Sequence, residues 1–151
     1  MDRQPNHDDA QLILRLYQLR REPKMREARD WFARNFNATT LERYEALCPP
    51  GSEPNQFTRM VTSYWDMVAS FITNGVLHDE LFFQSGRELL LVWERVRPIT
   101  PALRKALKDS TMWTNLEAAG NAYAAWWDRT SPEAYRAFSA RIHAMANSKR
   151  S

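Results

Sequence analysis

Two triplets of reactive residue types lie close together at positions 62–83, TSYWDMVASFITNGVLHDELFF: Tyr64-Trp65-Asp66 and His78-Asp79-Glu80. A carboxylate beside an imidazole is the raw material of general acid–base catalysis, and a histidine with two acids can begin a metal site. Helical spacing argues against joining them. At about 100° per residue, Tyr64 and Trp65 continue the apolar stripe of Val61, Val68 and Ile72, whereas Asp66 falls on the flank with Thr62, Ser63 and Thr73. Asp66 is therefore expected to be a solvated acid beside a core face. Gly75 suits the left-handed residue that closes a helix, and acids after it favour the positive end of the next one. His78 accordingly reads as part of a cap.

No other stretch supplies the missing ligands or nucleophile. His7 and His143 sit near opposite ends of the chain, and no HExxH, paired ExxH or Cys-x-x-Cys spacing occurs. Cys48 would need a base and a lowered pKa to act as a nucleophile, and it reads instead as a small semi-buried residue before two prolines. The four glycines are scattered, so no phosphate loop is present. These patterns predict no catalytic residue, no cofactor and no metal.

Two segments could bind something. The segment RREPKMREAR at 20–29 concentrates basic charge, and Arg20, Arg21, Lys24, Arg26 and Arg29 could line a helix–Pro–helix corner that holds an anion. The competing expectation is that Glu22, Glu27 and Asp30 pair with them along the helix. Near the C-terminus, Trp126 and Trp127 are adjacent on a helix and claim a wider arc than one seam. With Tyr123 and Tyr135 they are expected to edge a self- or partner-binding surface, unless both indoles pack on the last helix through Tyr135 and Phe138.

The elements that carry these residues are all helical in spacing, and the fold class is an all-α, single-domain multi-helix bundle with a short N-terminal helical subdomain. Helices are predicted from about Asp8 to Arg21 and from Pro23 through Phe36. A short helix with the capping pattern Thr39-x-x-Glu42 follows, ending before Pro49. Residues 1–48 form the N-terminal helices, 49–55 a Pro/Gly-rich loop, 56–147 the main bundle and 148–151 a frayed tail, with fraying from Met145. In the bundle, a helix runs from Gln56 to Asn74 and a short turn from Asp79 to Phe83. A further helix is opened by Ser85-x-x-Glu88 and runs to Arg97. Leu89 to Trp93 are consecutive apolar residues, so that helix belongs in the middle, packed on 56–74, and Trp65 and Trp93 are expected in the core. Thr100-Pro101 starts another, Met112 to Asp128 a Trp- and Ala-rich one, and Ser131-Pro132 the last.

The chain has 151 residues, 44% hydrophobic and 26% charged, with a net charge of +3 and a mean hydropathy of −0.61. That is a foldable globular composition, and its charge balance does not call for nucleic acid. No apolar run approaches the roughly 20 residues of a membrane span. The polar start and the single cysteine lead to the expectation of a cytoplasmic protein.

The segments LRREPKMREARDW, TSYWDMVASFITNGVLHDELFF and ELLLVWERVRP together resemble an uncharacterised family of small bacterial helical proteins, a domain of unknown function, over roughly residues 10–110. The resemblance implies an all-helical fold and a bacterial source, and brings no site residues with it. The functional expectation is a non-catalytic protein acting through a protein partner or as a homo-oligomer. Anion or nucleic-acid binding at the basic corner is the alternative, and an enzyme of unrecognised type comes third.

Overall fold

The computed structural model describes residues 2–148, with 146–148 described by their backbone alone. The described residues form nine α-helices and no strand. They are α1 (His7–Leu19), α2 (Pro23–Asn35), α3 (Leu41–Leu47), α4 (Glu53–Thr73), α5 (Asp79–Phe83), α6 (Arg87–Val96), α7 (Thr100–Leu107), α8 (Thr114–Thr130) and α9 (Pro132–Ser148), with a 3-10 turn at Arg97–Ile99 between α6 and α7. The expected frayed tail, apart from Ser148, lies outside the described residues, and α9 runs past Met145.

Local chemistry accounts for most helix ends. Asn6 and Asp9 form a reciprocal capping box on α1. Pro23 occupies the first turn of α2, and the Glu22 side chain accepts from the Met25 amide. Gly75, at φ +75°, closes the turn after α4 as its residue type predicts. Three boundaries differ from the sequence expectation. The loop at 49–55 ends early, because Ser52 caps α4 and Pro54 fits its first turn. Thr40, not Thr39, caps α3. The Ser85-x-x-Glu88 capping box does not form: α6 starts at Arg87 behind Gly86, with no side-chain cap, while Glu88 bonds to Arg29.

The α4 stripe of Phe57, Val61, Trp65, Val68 and Ile72 is buried, and α4 packs mainly between α8 and α2. It also touches α6, as expected. The latter sits centrally, with neighbours α8 and α9, and buries Leu89, Leu90, Val92, Trp93 and Val96. One continuous apolar core runs from Leu16 in α1 to Ile142 in α9, so the N-terminal helices share it with the main bundle. Gly120 makes the α6–α8 contact close: a Cβ there would stand 2.4 Å from Cδ1 of Trp93.

Candidate functional site

The two triplets are not brought together as a site; their residues go to separate structural tasks. Trp65 is 1% exposed and belongs to the core. The Tyr64 hydroxyl donates to the Leu16 carbonyl at 2.5 Å and ties α4 to the end of α1; burial pushes its pKa up to about 12. Asp66 corrects the expectation of a solvated acid. It is half-buried and accepts the Leu116 amide at 2.9 Å, capping the start of α8 from another helix. Trp113, the residue before α8, is left-handed and offers no cap of its own, which leaves that amide for Asp66. Burial raises the Asp66 pKa, with the Leu116 bond acting the other way.

His78 caps α5, as expected, and does more. Its Nδ1 accepts the Leu81 amide at 3.2 Å, so the ring proton sits on Nε2 and is donated to the Arg3 carbonyl at 2.9 Å. The His78 amide in turn donates to Asp9 at 2.9 Å. Asp9 is 1% exposed and takes both guanidinium nitrogens of Arg3 at 2.6 Å, holding its carboxyl well below the usual carboxylate range. Asn6-x-x-Asp9 could have been read as a capping box, but nothing local announces that Asp9 also fastens residues 3 and 78. Among the described residues no group of three or more His, Cys, Asp or Glu is gathered in a way that could hold a metal ion. Cys48 is buried beside Thr58 at 3.4 Å, and burial raises its thiol pKa, away from nucleophilic chemistry.

The basic corner is largely answered from within. Arg29 donates to Glu88 at 2.8 Å and to the Arg20 carbonyl at 2.9 Å, while Lys24 meets Glu27 at 3.4 Å and lies over Phe57. Arg21 stacks on Tyr17, and Arg26 borders a shallow polar depression with Glu27, Asp30 and Glu88. Of the expected local partners only Glu27 pairs here; Glu22 caps α2 and Asp30 binds Arg34. Arg20 leaves the group. It lies over Tyr17 and Trp65, with centroid distances of 5.0 and 5.5 Å, and stands 4.0 Å from Glu88.

The C-terminal aromatic segment also changes character. Tyr123 is 2% exposed and donates to the Phe83 carbonyl, and Trp127 is 8% exposed against Tyr135 and Phe138. Trp126 is half-buried on Phe83 and Tyr123, and Tyr135 is half-buried with its hydroxyl donating to Glu94 at 3.1 Å. The expected surface reduces to the outer edges of Trp126 and Tyr135.

Sequence reasoning passed over two polar residues in α6. Glu94 is 2% exposed and meets Tyr135, Ser139 and His143 of α9, with Arg97 of the following 3-10 turn at 3.1 Å. Arg95 is 5% exposed and donates to the Phe36 carbonyl at 2.7 Å and the Ala33 carbonyl at 3.2 Å, a cation set on the negative end of α2. Desolvation lowers its pKa.

The feature most like a binding site is a half-open cavity of about 250 Å³ between the end of α1, the middle of α4 and the α5–α6 corner. Ile13, Leu16, Tyr17, Trp65 and Phe82 supply apolar walls, and Arg20, Ser85 and Gly86 also border it. A Cβ on Gly86 would stand 2.3 Å from Cζ of Phe82, so this corner needs a glycine. The Trp65 indole N–H is buried and has no hydrogen-bond acceptor. Beside the cavity α1 exposes Leu14 and Tyr17, at 56% and 47%.

No helix among the described residues is long and apolar enough to cross a membrane. No curated protein and no solved structure matches the chain. A family model does, over residues 7–126, the span from α1 to most of α8 that builds this cavity. The chain belongs to that family, the domain of unknown function DUF4760.

Proposed function

We propose that the protein is a non-catalytic binding module of the bacterial cytoplasm, and that it takes a small, largely apolar molecule in the cavity between α1, α4 and the α5–α6 corner. The observation that carries this reading is the pocket itself: about 250 Å³ of apolar-walled space, half open to solvent, that reaches down to the core residues Leu16, Trp65 and Phe82. An engineered apolar cavity of about 150 Å³ holds benzene, so this one suits about ten non-hydrogen atoms. The separation of the reactive residues favours binding over catalysis, and the single buried thiol of Cys48 fits a reducing compartment. A ligand that binds only the folded state must raise its melting temperature. Small apolar probes at millimolar concentration should do so for the wild type and not for Ile13→Phe, which fills the space. If Ile13→Phe responds as the wild type does, the cavity is not the binding site.

A second reading, self-association, is favoured by the exposed Leu14, Tyr17 and Leu19 on α1. Sedimentation at two concentrations tests it: a mass that stays monomeric, unchanged by Leu14→Ser, removes it.

A further inference from the structure

We infer that the occupant of this cavity is an amphiphilic anion, a molecule with an apolar body and one carboxylate-like head, and that the head lies between the Arg20 guanidinium and the uncapped start of α6. The inference rests on the binding reading above and adds the chemistry of the ligand. Two independent features converge on the same rim. Arg20 borders the cavity and lies over the aromatic faces of Tyr17 and Trp65. Its acid neighbour Glu88, at 4.0 Å, is shared with Arg29 at 2.8 Å, so two guanidinium groups meet one carboxylate and positive charge is in excess.

The second feature is the start of α6, a helix of ten residues whose N-cap, Gly86, has no side chain to offer. The Leu89 amide returns to the Gly86 carbonyl at 3.1 Å, and the Arg87 and Glu88 amides have no acceptor among the described residues. Free amides at a helix N-terminus attract anions. The residue that the sequence offers as a cap, Ser85, sits at the cavity border with its hydroxyl unused by the helix. Glycine at 86 is imposed by the Phe82 ring. An anionic head placed there would serve as the cap that the chain lacks.

The Trp65 side chain also borders the pocket, but its unsatisfied indole N–H is wholly buried and out of a ligand's reach, so the donors at the rim are the Arg20 guanidinium and the helix amides. A carboxylate has two oxygens and about four acceptor sites, enough for both. A cationic head would meet Arg20 with the same sign, and a neutral hydroxyl would leave most of the donors unanswered.

The test is calorimetric titration of the full chain with octanoate, 1-octanol and octylamine, which share an apolar body of the right size and differ in the head. Octanoate is expected to bind at least about tenfold more tightly than octanol, as charge-assisted hydrogen bonds require, and octylamine weakest of all. Arg20→Gln should bring octanoate down to the level of octanol. Ser85→Asp, an exposed position where folding is not at stake, should weaken octanoate about tenfold by like charge, a larger loss than it causes for octanol. If octanol and octanoate bind equally and Ile13→Phe blocks both, the anionic head is wrong while the cavity reading stands. Absence of binding by all three probes overturns the cavity reading itself, as does octanoate binding that Ile13→Phe leaves intact.

Discussion

Replacing Gly120 by alanine tests the core at its closest approach. In an ordinary helix interior the change stabilises by about 1 kcal/mol, because glycine is the poorer helix former. Here the new methyl group would lie 2.4 Å from Cδ1, 2.6 Å from Cγ and 2.9 Å from Cβ of Trp93. Ordinary contact begins near 3.4 Å, so the overlap is on the order of 1 Å. Trp93 is 2% exposed, its indole N–H donates to Asn121 at 3.3 Å, and its Cβ is fixed by the backbone of α6. It has nowhere to swing. Overpacking of this kind costs about 1–3 kcal/mol, and the upper end applies when the neighbour cannot yield. The net expectation is a loss of about 2 kcal/mol, or about 4–8 °C in melting temperature for a chain of this size. Urea unfolding followed by far-ultraviolet dichroism measures it. The same substitution in a Trp93→Ala background, where Cγ and Cδ1 are gone, should lose most of that cost, giving a coupling energy of about 2 kcal/mol. If Gly120→Ala stabilises the wild type, or costs the same in both backgrounds, the packing argument fails.

Three further outcomes are expected. The folded pKa of Asp9 is depressed, so its contribution to stability is present above the unfolded value near pH 4 and is lost as pH falls through the folded one; an acid titration of stability should therefore be flatter for Asp9→Asn than for the wild type. Asp66 carries the opposite sign: its folded pKa is raised, so stability declines as pH rises from about 4 through the folded value. Asp66→Asn, which still accepts the Leu116 amide, should remove that decline at little cost, whereas Asp66→Ala should cost about 1 kcal/mol below about pH 4, as loss of a helix cap does, and less above the folded value. Glu94→Ala should cost about 2–3 kcal/mol by stripping Tyr135, Ser139 and His143 of their shared acceptor, and limited trypsin digestion should then cut faster after Arg136 and Arg141.

The legible part of the fold is the part written in neighbouring residues. The stripe from Phe57 to Ile72, the Gly75 stop, Pro23 in a first turn and the burial of Trp65 and Trp93 follow from spacing and residue type, and all are present. What escaped depends on partners far along the chain. Asp9 meets His78 across 69 residues, Arg29 meets Glu88 across 59 and Asp66 caps an amide 50 residues away, and none of these leaves a local trace. Ser85 misled because its capping pattern is sound taken by itself; the Arg29–Glu88 bond and the Phe82–Gly86 contact override it. The cavity was invisible for a different reason. It is a shortfall of volume among apolar residues, and periodicity records which residues face inward, not whether they fill the space between them.

The apolar face of α6, made by Leu89, Leu90, Val92, Trp93 and Val96, sets the rotation of the helix only to within the width of that face. The adjacent residues Glu94 and Arg95 narrow the choice. One turns its carboxylate to Tyr135, Ser139 and His143 on α9, the other its guanidinium to the last carbonyls of α2, and adjacent helical positions lie about 100° apart. Rotating α6 about its own axis would strand both charges in the core, whereas sliding apolar side chains past one another would cost far less. Buried charge adds little net stability to a fold. Its worth in α6 is orientational: two pins of opposite sign select one rotation of the central helix, and so one arrangement of the bundle around it.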